Sequence, residues 1–186
     1  PFLLPHRKDF VWDKELYQDL LSQGLAMGLM TSIVSIGTVI LQSAINQLGM
    51  TIISAQISAR RIMSFALLPM AAISTSMTTF TSQNFGAKRF RRIQKGVKQA
   101  CLLSFVWSII VAILLFFTSP FLTNLISGSS DPNLIANASL YLQISSCFYP
   151  VLGCLLILGN SLQGIGRKLT PLISSFIELT GKILFV

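Results

Sequence analysis

The sequence predicts an all-α protein, a polytopic bundle of helices that crosses a membrane several times. Of its 186 residues, 52% are hydrophobic and only 11% are charged, and the mean hydropathy is +0.69. Soluble domains carry roughly 25% charged residues. Apolar runs long enough to cross a bilayer, about 20 residues each, recur between short polar connections. A soluble basic protein that binds nucleic acid would also explain the net charge of +8, but these runs argue against it.

The first segment, residues 1–19, carries charges of both signs and approaches the first span. Asp13 is typical of a helix start, because its carboxylate accepts hydrogen bonds from the N–H groups of the first turn. Trp12 and Tyr17 suit the headgroup layer of a membrane, where aromatic side chains are enriched. We therefore interpret 1–19 as a cytoplasmic segment that ends at the membrane surface.

The next forty residues, 20–59, contain no charged side chain. That is twice the length of one crossing, about 20 residues, so a turn must divide them. Asn46 and Gly49, which tolerate turn conformations, supply it. The sequence thus predicts a first span over 20–46 and a second over 50–82.

A polar stripe runs along the first span. Its members are spaced by three or four residues and so share one helix face. They are Thr31, Ser35, Thr38, Gln42 and Asn46. Such a face should contact protein or water rather than lipid. Helix–helix hydrogen bonding and a substrate path both explain it.

The second span contains two arginines, Arg60 and Arg61, about ten residues past the turn. An arginine at the bilayer centre costs about 2.5–3.5 kcal/mol on insertion scales. They either extend toward the outer interface or face a hydrated cavity, and Arg61 is a candidate for a substrate path. Pro69 removes a backbone hydrogen bond and should kink this span.

The connection over residues 83–98 orients the chain. It contains six cations and no acid: Lys88, Arg89, Arg91, Arg92, Lys95 and Lys98. Because Lys and Arg beside a span resist translocation, this connection is predicted to be cytoplasmic. Eleven of the 14 basic residues then fall on the cytoplasmic side and none in the two outer connections.

The third span, 99–122, is apolar nearly all round and is predicted to be an outer, lipid-facing helix. The fourth span, 133–162, carries a second polar stripe and a proline, Pro150, that should kink it. This second stripe consists of Ser139, Gln143 and Ser146. Together the two stripes and Arg61 are our predicted substrate-pathway residues.

The fifth span, 169–186, contains an acid and a base one helical turn apart, Glu178 and Lys182. Either charge alone would be costly in hydrocarbon, so we predict an intramembrane ion pair. The apolar run ends at Val186 without a polar flank. We therefore expect the sequence to be a fragment of a longer chain.

No Walker loop, zinc-ligand cluster or nucleophile motif occurs in the sequence. Without them, nothing indicates ATP hydrolysis or another enzymatic reaction. We accordingly predict that the protein is not an enzyme and has no cofactor.

Two helix ends carry the same short pattern, Q-x-x-G-x-K, at residues 83–88 and 163–168. The glycine of this pattern is typical of a helix C-cap. With 44–49, 93–96 and 162–167, these stretches resemble the bacterial-type multidrug and toxic-compound extrusion (MATE) family. The resemblance implies that six residues belong to a cytoplasmic loop motif. They are Gln83, Asn84, Gly86, Ala87, Gln163 and Gly166.

The resemblance implies the second six-helix repeat of a twelve-helix transporter in the cell membrane. Such a transporter exports organic, often cationic compounds in exchange for H⁺ or Na⁺ by alternating access. Its partners would be membrane lipid, small organic cations or drugs, and the N-terminal half of the same protein, but not nucleic acid. Two departures are Ala26, where the family often has proline, and the lack of acids in the first and fourth spans. The coupling-ion site is thus expected outside this fragment.

Two other functions remain open from the sequence. A flippase of lipid-linked saccharides with related architecture should have a more basic cavity, which Arg60 and Arg61 would supply. A non-transporting membrane scaffold would not require two polar stripes and two proline kinks.

Overall fold

The computed structural model describes residues 13–167 and 169–184, except for the side chain of Pro171. Every regular element in these ranges is an α-helix. The helices are α1 (Lys14–Asn46), α2 (Met50–Gly86), α3 (Phe90–Ser127), α4 (Pro132–Cys147), α5 (Tyr149–Gly164) and α6 (Leu169–Leu184). Most of the predicted 1–19 segment, Lys168 of the second pattern and the last two residues of the fifth span lie outside the described residues.

Three helices, α1, α2 and α3, are long and apolar enough to cross a membrane. α4 and α5, with a bend of 54° between them, are together long and apolar enough for a fourth crossing if the pair is one broken span. Within the described residues this is the polytopic all-α architecture that the apolar runs predict.

α1 begins at Lys14, six residues before the apolar run. Asp13 caps it, because its Oδ1 accepts hydrogen bonds from the backbone N–H groups of Glu15 (3.0 Å) and Leu16 (3.2 Å). The predicted helix start at Asp13 is confirmed. Residues 14–19, which we assigned to the approach segment, therefore form the first turns of the helix.

The predicted connection over 83–98 is mostly helical. α2 continues to Gly86 and α3 begins at Phe90, so only residues 87–89 separate the two helices. Lys, Arg and Gln are good helix formers, and Gly96 is the only glycine, with no proline, from Phe90 to Lys98. Charge predicts where the membrane ends, but it does not end a helix.

The predicted fourth span is two helices. α4 ends at Cys147, Phe148 forms the break, and α5 begins at Tyr149. Pro150, in the first turn of α5, has no N–H to continue the ladder of hydrogen bonds across the break. Pro69 and Pro120, in contrast, lie inside α2 and α3, which continue past them.

α2, α3, α4 and α5 pack together, and α1 packs mainly against α6. The third span was expected to be an outer helix, but α3 contacts α2, α4 and α5. One side of α3 is buried and carries small polar residues, among them Ser104, Ser108 and Ser119. The apolar character seen in the sequence belongs to its other, exposed side.

Glycines allow the closest helix contacts in this group. A Cβ added to Gly164 on α5 would collide with the backbone oxygen of Thr78 and with the hydroxyl of Thr81 on α2. A Cβ on Gly153 would collide with the hydroxyl of Ser104 on α3. Small residues at contact points are the usual means by which membrane helices approach each other.

Candidate substrate pathway

The polar stripe of α1 lies on an open face. Thr31 and Ser35 are exposed, and Thr38 and Gln42 are half-buried. Their groups are bonded within α1: Ser35 Oγ donates to the oxygen of Thr31 (2.8 Å), and Gln42 Nε2 donates to Asn46 Oδ1 (3.0 Å). Among the described residues, none of these four side chains forms a hydrogen bond to another helix.

The opposite side of α1 is the one that packs. Ile33 and Gly37 are buried there, and a Cβ added to Gly37 would lie 3.2 Å from Cδ1 of Leu179 on α6. The hydroxyl and amide oxygens of the stripe thus accept no hydrogen bond from another described helix. The sequence suggested either helix–helix hydrogen bonding or a substrate path for this stripe. Within the described residues, the stripe forms no hydrogen bond to another helix.

The second stripe lies at a helix contact instead. Ser139 and Ser146 on α4 are buried, and Gln143 is half-buried. Gln143 Nε2 donates to the backbone oxygen of Phe116 on α3 (3.3 Å), and Ser146 Oγ donates to the oxygen of Gln143 (2.8 Å). This stripe therefore joins α4 to α3, and it borders an apolar groove of about 410 Å³ between them.

The structure does not bring the two stripes together. α1 contacts α2 and α6, whereas α4 contacts α2, α3 and α5, with no contact between α1 and α4 in the described residues. The described helices thus do not place the two stripes side by side.

Arg61 lies on the exposed side of α2, and Arg60 beside it is half-buried. Neither side chain forms a hydrogen bond or an ion pair within the described residues, and α2 to α5 contain no Asp or Glu. One turn before Arg60, the Oε1 of buried Gln56 also has no partner. The basic charge in this part of α2 is therefore not neutralised by the described chain.

A small cavity that the sequence analysis did not predict lies between α1, α2 and α5. Its volume is about 110 Å³. It is lined by Gln23, Ala26, Met27, Met30, Thr78, Gln163 and Arg167. Gln163 Nε2 approaches Met30 Sδ at 3.8 Å, although we had assigned Gln163 only to a loop motif. The polar residue Gln23, just inside the first apolar run, was the one sequence signal for this site.

The two helix ends that share Q-x-x-G-x-K also share their backbone structure, but not in the register of that pattern. At the end of α2, the N–H of Arg89 donates to the oxygen of Asn84 (2.8 Å); at the end of α5, the N–H of Arg167 donates to the oxygen of Leu162 (3.0 Å). Both are the six-residue bonds of a Schellman-type end. Arg89 thus corresponds to Arg167, 78 residues later, whereas the sequence pattern repeats after 80.

This shift changes the role of the motif residues. The left-handed position is Lys88 (φ +58°) in the first end and Gly166 (φ +78°) in the second. Gly86 is the last helical residue of α2 and Ala87 is the cap. The predicted C-cap role therefore holds for Gly166 and is wrong for Gly86. Gln83 is exposed, while buried Asn84 donates to the oxygen of Phe80 (2.7 Å).

Glu178 and Lys182 face each other on α6. Lys182 Nζ lies 2.6 Å from Glu178 Oε1, and the two side chains are 24% and 49% exposed, respectively. The stem of Lys182 runs over Gly37 of α1, where an added Cβ would lie 2.9 Å from Lys182 Cδ. The ion pair is thus part of the contact between α1 and α6.

Several buried oxygens lack a hydrogen-bond partner. They include the hydroxyls of Ser104, Ser139 and Tyr149, and Tyr149 lies directly after the break between α4 and α5.

In the described ranges, no group of three or more His, Cys, Asp or Glu side chains could hold a metal ion.

Comparison with known proteins agrees with this architecture. The MatE family model matches residues 26–185, which is most of the chain. The chain belongs to the MatE family. The resemblance to multidrug and toxic-compound extrusion proteins is thereby confirmed. Members of this family are polytopic membrane transporters rather than enzymes.

Three relatives illustrate the range of the family. The MatE chain is 29% identical over 121 residues to an FAD transporter of Shewanella oneidensis, covering 64% of the chain and 26% of that protein. It is 22% identical over 175 residues to the probable multidrug resistance protein YoeA of Bacillus subtilis, covering 94% of the chain and 37% of that protein. It is 26% identical over 117 residues to the probable multidrug resistance protein NorM of Thermotoga maritima, covering 62% and 25%.

The MatE chain thus spans about a quarter to two fifths of the length of these relatives. The matched residues 26–185 include both polar stripes, both Schellman-type ends and the Glu178–Lys182 pair. These features therefore lie in the part of the chain that the family model matches.

Proposed function

We propose that this chain is part of a secondary active exporter that exchanges organic, often cationic compounds for H⁺ or Na⁺ by alternating access. The observation that carries the proposal is the open polar stripe of α1, from Thr31 to Gln42. Its side chains are bonded within their own helix, and their oxygens accept no hydrogen bond from another described helix. A few polar groups on an apolar wall are what an amphipathic organic compound requires.

The cavity between α1, α2 and α5 supports the same function. Met27 and Met30 supply flexible, polarisable surface, and Gln23, Thr78 and Gln163 supply polar groups. Methionine-rich surfaces suit ligands of varied shape. The second stripe contributes in a different way, because Gln143 fixes α4 to α3 and thereby supports the break before Tyr149. Discontinuous helices are common near transporter binding sites.

The rest of the exporter is supplied by segments outside this chain. We propose that an N-terminal half covers the open faces of α1 and α2 and contains the acid that couples transport to the ion gradient. The protein would lie in the cell membrane with residues 83–98 in the cytoplasm, in contact with membrane lipid. No cofactor is required beyond the coupling ion.

Transport by the full-length protein in proteoliposomes tests this function. A fluorescent lipophilic cation should be moved when an H⁺ or Na⁺ gradient is imposed. Gln42→Ala should slow transport several-fold without changing thermal stability, since Gln42 bonds only within α1. Gln143→Ala should lower both transport and stability, since it removes the bond to Phe116. Gln94→Ala, an exposed change at the start of α3, is the matched control and should change neither.

A second candidate is an exporter of anionic organic compounds. It is favoured by Arg61, which is exposed and unpaired, and by the absence of Asp and Glu from α2 to α5. The relative from Shewanella oneidensis is named an FAD transporter, and FAD is an anion. Transport of a flavin nucleotide that is lost in Arg61→Gln, with no transport of the lipophilic cation, would select this candidate. Movement of lipid-linked sugars alone, without a gradient, would select the flippase.

A further inference from the structure

One side of α3 changes from basic to apolar along its length. Its residues recur at steps of three and four and so share one face of the helix. They are Arg91, Lys95, Lys98, Leu102, Phe105, Ile109, Ile113 and Phe116, and we call this set the α3 outer stripe. Three cations come first, and only large apolar side chains follow.

The α3 outer stripe is open along its whole length. Its three cations are exposed, and Leu102, Ile113 and Phe116 are 64%, 57% and 61% exposed. The opposite side of α3, which includes Ala100, is buried against α2, α4 and α5. α1 and α6 do not contact α3 within the described residues.

No carboxylate of the described chain neutralises the three cations. Asp13, Glu15 and Asp19 lie at the start of α1, and Glu178 lies on α6, neither of which contacts α3. The remaining described acid, Asp131, caps α4 beyond the far end of α3. The basic end of the stripe therefore presents unpaired positive charge directly beside an apolar surface.

We propose that the α3 outer stripe is a binding site for one anionic phospholipid. The phosphate would contact Arg91, Lys95 and Lys98, and the acyl chains would lie along Leu102, Phe105 and Ile109. Lys98 and Ile109 are 11 positions apart, about 16 Å at a helical rise of 1.5 Å. That is about half of a hydrocarbon core of roughly 30 Å, so the apolar part matches the depth of one leaflet.

The order of chemistry along the stripe favours lipid over other occupants. A soluble anion would use the cations but not the apolar side chains next to them. A second copy of the chain, related by a twofold axis along the membrane normal, would place the three cations against their own copies. An anionic phospholipid satisfies both parts at once, because Arg and Lys bind phosphate through charge-assisted hydrogen bonds.

The site can be tested with one tryptophan reporter. Leu102→Trp is introduced into the full-length protein with Trp107 kept and the other tryptophans changed to Phe, and the protein is reconstituted in phosphatidylcholine. Quenching in the parent protein, which contains Trp107 alone, is subtracted. Quenching by brominated phosphatidylglycerol is compared with quenching by brominated phosphatidylcholine. We expect several-fold preference for phosphatidylglycerol at residue 102. Each lost cation should lower this preference by up to about fivefold, equivalent to about 1 kcal/mol.

The decisive comparison is between two triple variants of equal charge. Arg91→Gln with Lys95→Gln and Lys98→Gln should abolish the preference. Lys88→Gln with Arg89→Gln and Arg92→Gln should retain it, because these cations lie off the stripe and Arg92 is turned toward the ring of Phe80 (6.0 Å). Equal losses in both triples would show a diffuse surface potential and overturn the site, as would equal quenching by both lipids before mutation.

Folding is controlled in the same experiment. Each triple variant must give one monodisperse peak in size-exclusion chromatography. If the first triple does not, the single variant Lys98→Gln replaces it and should lower the preference by up to fivefold, whereas Lys98→Arg should retain it. A Lys98→Gln protein that keeps the full preference would contradict the proposal.

Discussion

The indole N–H of Trp107 on α3 donates a hydrogen bond to the backbone oxygen of Ala66 on α2, with an Nε1–O distance of 3.0 Å. Ala66 lies one turn before Pro69, which removes one hydrogen bond from the α2 ladder and crowds the preceding turn. The bond therefore ties the two helices together where α2 is weakest. It also explains why Trp107 is half-buried, although its span was predicted to face lipid.

Trp107→Phe should destabilise the protein while keeping the helix lipophilic. The lost hydrogen bond contributes about 1 kcal/mol, and the smaller ring leaves space between the helices. We expect a lower midpoint of thermal unfolding in detergent, measured by circular dichroism. Phe121→Leu on the same helix is the control, since Phe121 is 69% exposed and its change should leave the midpoint unaltered. An unchanged midpoint for Trp107→Phe would show that the bond to Ala66 is unimportant.

Gly164→Ala should strongly destabilise the contact between α5 and α2. The added methyl would meet the backbone oxygen of Thr78, which cannot move without moving α2. Gly159→Ala, on the same helix, meets nothing within 4 Å. It should stabilise the protein by up to about 1 kcal/mol through helix propensity. Thermal unfolding of the two variants should thus shift in opposite directions, and equal shifts would refute the close approach at Gly164.

Apolar run length was sufficient to predict three helices and one bent helix pair that are long and apolar enough to cross a membrane. The three-and-four spacing predicted the stripe on α1. The stripe on α4 has the same spacing, yet Ser139 and Ser146 are buried at a helix contact. Spacing identifies residues on one face but does not tell which neighbour that face meets. That information depends on which helices pair, and nothing in the sequence indicated that α1 pairs with α6.

Helix ends were the least predictable feature. The glycine pattern suggested that Gly86 is the C-cap of α2, but Ala87 is the cap. The left-handed residue that follows is Lys88, although it has a Cβ. The backbone bonds from Arg89 and Arg167 specify the turn, and they do not depend on side-chain identity. Similarly, Pro150 predicted a kink but not the full break at Phe148. Proline alone does not distinguish the two outcomes, because Pro69 and Pro120 lie in helices that continue past them.

At the two matching helix ends, introducing glycine at one and removing it at the other should change the stability of the protein in opposite directions. Lys88→Gly should stabilise the protein, because glycine adopts the left-handed conformation without the penalty of roughly 1–2 kcal/mol that a Cβ brings. Gly166→Ala should destabilise it by a similar amount for the same reason. Midpoints of thermal unfolding measure both effects. A stabilising Gly166→Ala would show that the left-handed conformation is absent at that end.

The orientation that we propose from the basic cluster at the start of α3 predicts labelling from opposite sides. Single cysteines are placed at Arg91 and Ser129 in a full-length protein without native cysteines. An impermeant maleimide added outside intact cells should label residue 129 only, because the positive charge near Arg91 keeps it in the cytoplasm. Residue 91 should react after the cells are opened. Labelling of both residues from the outside would overturn the orientation.

The Glu178–Lys182 pair predicts a stability effect that depends on its surroundings. In water such a pair on one helix contributes only about 0.5 kcal/mol, whereas an unpaired cation in hydrocarbon costs about 2.5–3.5 kcal/mol. Because α6 is an apolar helix and Lys182 lies against Gly37 of α1, we expect Glu178→Gln to cost about 2–3 kcal/mol. The loss should appear as a lower yield of folded protein and a lower thermal midpoint.

A double variant separates this role from one in transport. Lys182→Met with Glu178→Gln removes both charges and retains the stem over Gly37, so it should restore stability. If Glu178 serves only to neutralise Lys182, transport in proteoliposomes recovers together with stability. If stability recovers and transport does not, Glu178 acts in coupling or gating. A Glu178→Gln protein with normal stability and normal transport would contradict both roles, and the pair would then lie where water screens it.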